Sequence, residues 1–175
     1  VDADVTDTGP RQRWTLIAKR GRVSGAPSLA GLTIVSTAGY APEFVKHSAL
    51  EAWPLAADVR IEPTGQVLSA LRRAAAGEPL VVLLDQTQAA ALGSLPFANE
   101  LQAVVQSPEL PVAVLAVVGS RLKPARAASL RSGLLALGPA PGNAEPLASL
   151  RLRGFGDGRP NEKPATICTE VIPDL

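Results

Sequence analysis

Leu32-Thr33-Ile34-Val35-Ser36-Thr37-Ala38-Gly39-Tyr40 is the stretch whose reading decides the fold. Leu32 to Val35 is a compact run rich in β-branched residues, which fit a pleated surface and disfavour a helix. Ser36 to Gly39 supplies polar and small residues for a turn. From Ala41 to Ala52, apolar Phe44, Val45, Ala49 and Leu50 recur at helical spacing, with Pro42 tolerable in the first turn. Upstream, Ser28-Leu29-Ala30-Gly31 reads as one helical turn ended by glycine. The unit is therefore strand, polar turn, helix.

Working outward, the same unit recurs. Asp58 to Ile61 predicts a strand and Thr64-Gly65 a cap, followed by a helix that stops at Gly77. Val67, Leu68, Leu71 and Ala74 line one side of that helix, with Arg72 and Arg73 on the other. Leu80-Val81-Val82-Leu83-Leu84 is continuously apolar, as a strand buried on both faces of a parallel sheet must be, and it ends in Asp85 before a short helix from Gln86 to Ala91. Before the first unit, Trp14 to Lys19 alternates as a strand. After the second, Leu101 to Gln106 and Val112 to Val118 read as strands, Pro124 to Leu137 as an amphipathic helix with Ala127, Leu130, Leu134 and Leu137 inward, and Glu145 to Leu152 as a shorter helix. Residues 1–11 read as a flexible N-terminal segment, and 154–175 as an irregular tail rich in Gly and Pro. Strands alternating with helices predict an α/β fold with a mainly parallel sheet flanked by helices.

Composition narrows the function classes. Of 175 residues, 46% are hydrophobic and 19% charged, a globular balance rather than a disordered one. The 17 basic and 16 acidic residues form no block that could follow a phosphate backbone or lie on a lipid surface. Nucleic acid is not an expected partner, and membrane association is peripheral at most. The single cysteine, Cys168, excludes an internal disulfide and paired-Cys metal sites. The longest apolar run, Leu110 to Val118, contains Pro111 and is too short to span a bilayer. The chain opens at Val1 and contains no Met, which predicts processing or trimming, by removal of an export signal or from a longer precursor.

Candidate chemistry lies where strand ends meet helix starts, because unpaired backbone N–H groups there favour anions. In Ser36-Thr37-Ala38-Gly39-Tyr40, two hydroxyls and a glycine allow close approach of the backbone to an oxyanion, and Tyr40, the only tyrosine, can flank it. The alternative is that Ser36 or Thr37 caps the helix. Asp85 could bind a ligand amine or hydroxyl, or equally cap the helix at Gln86. Thr64 and Gln66 are weaker candidates of the same kind. No enzyme is indicated: His47 is the sole histidine and lies inside a predicted helix, and there is no nucleophile elbow, phosphate-loop lysine or dinucleotide fingerprint. No cofactor or metal is required.

The order Trp14-Thr15-Leu16-Ile17-Ala18-Lys19, Ser28 to Leu32, Ser36 to Tyr40, Gln66 to Leu71 with Gly77, Asp85, Ser107-Pro108-Glu109-Leu110-Pro111 and Leu147 to Phe155 resembles phosphonate/phosphate-type substrate-binding proteins of ABC transporters. The resemblance covers about residues 12 to 156. It implies a periplasmic-binding-protein-like lobe plus a partial second lobe, the first lobe being largely missing. Residues 12–27 would be hinge strand and linker, 28–92 the α/β ligand-binding lobe, and 93–153 the return strands and helices of the other lobe. Trp14 to Lys19 and Val112 to Val118 would be the hinge crossings. It also implies ligand contacts from Ser36, Thr37, Ala38 and Gly39, with Asp85 facing the cleft. Ala38 departs from the family, where a second serine is common. The expectations that follow are a periplasmic or otherwise extracytoplasmic protein, a small anionic solute, and an ABC permease or a chain supplying the missing lobe as partner. The alternatives are the effector domain of a bacterial transcription regulator, or a structural descendant that binds no ligand.

Overall fold

The computed structural model describes residues 1–5, 9–56, 58–113, 115, 121–138 and 142–157. In chain order the strands are β1 (Asp2–Val5), β2 (Arg11–Gln12), β3 (Thr15–Lys19), β4 (Thr33–Ser36), β5 (Arg60–Pro63), β6 (Leu80–Leu84), β7 (Leu101–Gln106), β8 (Leu110–Pro111) and β9 (Leu152–Gly156). The helices are α1 (Pro42–Phe44), which runs on into a π-helical turn Val45–Ala49, then α2 (Val67–Ala76), α3 (Gln86–Ala91), α4 (Pro124–Leu135) and α5 (Ala144–Ser149). The described residues fall into two compact units. One takes Arg13–Pro108, the other Val1–Gln12 with the described part of Glu109–Asn161.

The first unit is a mixed α/β domain around a five-stranded sheet of order β5-β4-β6-β3-β7. Parallel pairing joins β4 to β5 and to β6, whereas β3 runs antiparallel to both β6 and β7. The α/β expectation holds, and the sheet is parallel on one half and antiparallel on the other. All five residues of β6 are buried, because it is flanked by β4 and β3 and covered on both faces. On one face Ile17, Val35, Leu80, Val82 and Leu84 meet Ala70, Leu71, Ala74 and Ala75 of α2. Each large side chain so buried contributes about 1.5–3 kcal/mol. Leu68, expected inward, is 50% exposed, and Ala70 takes the inward position instead. Gly77 ends α2 at φ 98°, a left-handed cap that a side chain would strain.

Both boundaries expected for this lobe, at 28 and 92, move outward. β3 and β7 pair with each other over five registered positions and belong to the same sheet as β4 and β6. β3 is thus an interior strand of this sheet. The chain changes unit at Gln12–Arg13 and again at Pro108–Glu109.

In the second unit, β1 pairs antiparallel with β9, and β2 with β8. The expected flexible start and the beginning of the expected irregular tail therefore carry strands, each giving the other the hydrogen bonds that neither could make locally. Near the expected Val112 to Val118 element, the strand among the described residues is Leu110–Pro111. Ala113 accepts from the Ala3 N–H at 3.0 Å, and residues 114 and 116–118 lie outside the described residues. Cys168 also lies outside them. α4 forms as expected, but no residue of it is buried, and Leu130, assigned inward, is 52% exposed. The reason is a shortage of core: among the described residues of this unit, Ala3 and Leu147 are the buried apolar side chains.

Candidate ligand site at a strand-order reversal

The chain leaves β4 towards β5, at one rim of the sheet, and leaves β6 through α3 towards β7, at the other rim. Outgoing connections from the neighbouring parallel strands β4 and β6 therefore diverge. In open α/β sheets this divergence opens a crevice at the carboxyl ends of the strands, where ligands collect. Ser36 registers with Leu83 and with Pro63, so the residues following all three parallel strands share one edge: Thr37 after β4, Thr64 after β5 and Asp85 after β6. Both principal candidates from sequence meet here.

Ser36 is fully buried and binds this edge together. Its hydroxyl donates to the Leu83 carbonyl at 2.8 Å and accepts from the Ala38 N–H at 3.1 Å. Its carbonyl accepts from the Gly39 N–H at 3.1 Å and from the Thr64 N–H at 2.9 Å. Gly39 is buried as well. A Cβ there would overlap the carbonyl carbon and oxygen of Glu62, so glycine serves the close passage of two backbone segments. The donors of Ser36, Ala38 and Gly39 that were expected to meet an oxyanion are engaged within the turn and the sheet. Thr37 and Tyr40 are the exposed members of the turn, Tyr40 at 82%. A second tight turn, closed by the Ala41 N–H on Ala38 O at 2.9 Å, carries Tyr40 outward.

Asp85 is half-buried and does cap α3. Its Oδ1 accepts from the Gln88 N–H at 2.8 Å while its own N–H donates to Gln88 Oε1 at 3.2 Å, a reciprocal capping box. Asp85→Ala is expected to lower the unfolding free energy by about 1 kcal/mol in urea titration, and Asp85→Asn to leave it nearly unchanged, because Asn caps as well as Asp. Thr64 Oγ1 likewise accepts from the Gln66 N–H at 3.0 Å.

One charged residue at this edge escaped the sequence reading. β3 runs antiparallel with Thr15 opposite Leu84, so its start lies at the carboxyl end of β6. There the Arg13 N–H donates to Gln86 Oε1 at 3.3 Å, and its guanidinium donates to the Ser107 carbonyl at 3.2 Å. No local signal could have found Arg13, since pairing across more than seventy residues brings it there. Behind the edge, the rings of Trp14 and Phe44 meet edge to face at 5.5 Å. One cavity of this unit, of about 310 Å³, is lined by Thr64 of this edge together with Glu62, Arg73 and Glu78, and another, of about 270 Å³, lies among Pro27, Pro54 and Val59. At the first, the hydrogen bond from Arg73 to Glu78 and that carboxylate's charge raise the guanidinium pKa above its ordinary value. Among the described residues no cluster of side chains could hold a metal ion, and no helix is long and apolar enough to cross a membrane.

No protein-family model and no curated protein matches the chain. Among solved structures it is similar to XAC2383 from Xanthomonas citri bound to ATP, with a TM-score of 0.62 and 19% identity over 91% of this chain and 66% of that one. The same protein bound to chloride ion matches with a TM-score of 0.60 and 19% identity, over 90% and 64%. A binding protein component of an ABC phosphonate transporter from Pseudomonas aeruginosa matches at a TM-score of 0.48 and 16% identity, over 90% and 56%. The chain thus spans 56–66% of the length of these solved chains. What the chain shares with XAC2383 is the fold.

Proposed function

We propose that the chain is the solute-binding part of an extracytoplasmic, ABC-transporter-type binding protein that captures a small oxyanion, such as phosphate or a phosphonate, without chemical conversion. The observation that carries this reading is the divergence of connections between β4 and β6, with Thr37, Tyr40 and Asp85 at the strand ends. The Thr37 hydroxyl donates to the anion. A carboxylate oxygen of Asp85 accepts from a protonated ligand oxygen. Ser36, Ala38 and Gly39 act as the frame that holds Thr37 and Tyr40 outward. XAC2383, whose fold is similar, is described bound to two anions, chloride and ATP, and that agrees with the choice of ligand class. The partner that follows is a membrane permease or a chain supplying the missing lobe.

Isothermal titration with phosphate, methylphosphonate, sulfate and acetate tests the reading. Binding of at least one oxyanion is expected, weakened about tenfold or more by Thr37→Val, since a hydrogen bond to a charged group contributes about 1.5–3 kcal/mol. Silence towards the whole panel would sink it. A second reading, a structural or protein-binding descendant with no ligand, is favoured by one observation: the turn satisfies its own donors through Ser36. Silence with an intact melting transition is what that reading expects.

A further inference from the structure

Tyr40 is 82% exposed, more than any other large apolar side chain among the described residues. It contributes nothing to the core, whereas Phe44, four residues on, turns inwards to Trp14. Gly39 and Ala41 flank it, so no bulky neighbour in sequence obstructs either face of its ring. Its backbone is held firmly: Gly39 is pressed against the Glu62–Pro63 backbone, and Ser36 ties the turn to β6. A ring with two side-chain torsions on a rigid turn is a preorganised stacking surface, costing little entropy when a flat guest covers it. Thr37, exposed on the same double turn, is three residues away.

We infer that the anion taken at this edge carries a planar aromatic ring, as in a nucleoside phosphate or an aryl phosphate, and that the ring stacks on Tyr40 while the phosphoryl group meets Thr37. The inference rests on the reading of this edge as an oxyanion site and adds the class of the organic group. Stacking of a base on an aromatic side chain is strong enough to tighten binding about tenfold.

Inorganic phosphate, ribose 5-phosphate, phenyl phosphate and AMP, titrated calorimetrically against the full chain, separate the possibilities. AMP and phenyl phosphate are expected to bind about tenfold tighter than ribose 5-phosphate, which matches their charge without an aromatic ring. Tyr40→Ala should abolish that gap, Tyr40→Phe should keep it, and Thr37→Val should weaken all four ligands alike. Ribose 5-phosphate binding as tightly as AMP, or a gap that survives Tyr40→Ala, overturns the aromatic inference and leaves the oxyanion reading standing. Silence towards all four overturns both. Tyr40 supports no packing, so the variant should melt with the parent, and binding differences report on the ring.

Discussion

Gly39→Ala is expected to destabilise the five-stranded unit by about 3 kcal/mol or more, a large effect for one added methyl group. Most overpacking is relieved when a side chain changes rotamer. Here the atoms in the way are the carbonyl carbon and oxygen of Glu62, and backbone has no rotamer to change. Accommodating a Cβ means prising the end of β5 from the turn, which stretches the bond from the Thr64 N–H to Ser36 O and disturbs the parallel ladder between β4 and β5. Urea denaturation followed by tryptophan fluorescence reads the change, because Trp14 and Trp53 both lie in the affected unit. A loss below about 1 kcal/mol would mean that the two backbone segments do not pass as closely as described.

Ser36→Ala is expected to cost about 2–4 kcal/mol in the same assay. The substitution withdraws a donor from the Leu83 carbonyl and an acceptor from the Ala38 N–H in a fully buried place, and a polar group so abandoned costs about 1–3 kcal/mol. The contrast with Thr37→Val is the informative part. Adjacent hydroxyls on one turn should divide their effects, Ser36 acting on stability and Thr37 on anion affinity, since one faces the sheet interior and the other the solvent. Equal, small effects of the two on stability would show that Ser36 does not hold the strands together.

Adjacent hydroxyls with separate duties also mark how far the site was legible in advance. The edge was readable: β4, α2 with its Gly77 stop, β6, α3 and β7 all form close to their expected bounds, and Thr37, Tyr40 and Asp85 stand at strand ends. Asp85 realises the capping role left open for it. What was not readable is which donors survive. Counting the hydroxyls and amides of Ser36 to Gly39 says how many donors the turn owns, but not that Leu83, Thr64 and Glu62 arrive to engage or cover them.

The elements of the five-stranded unit were determined by the sequence alone, because β-branched runs, 3.6-residue periodicity, caps and glycine stops act between neighbours a few residues apart. The tertiary structure decided the orientation of β3, the pairing of β1 with β9, the exposure of Leu130 and the inward commitment of Ser36 and Gly39. Each depends on a partner brought from dozens of residues away. A strand edge, an apolar face or a polar atom carries no mark of what will meet it, so its role is settled only when the whole chain has packed.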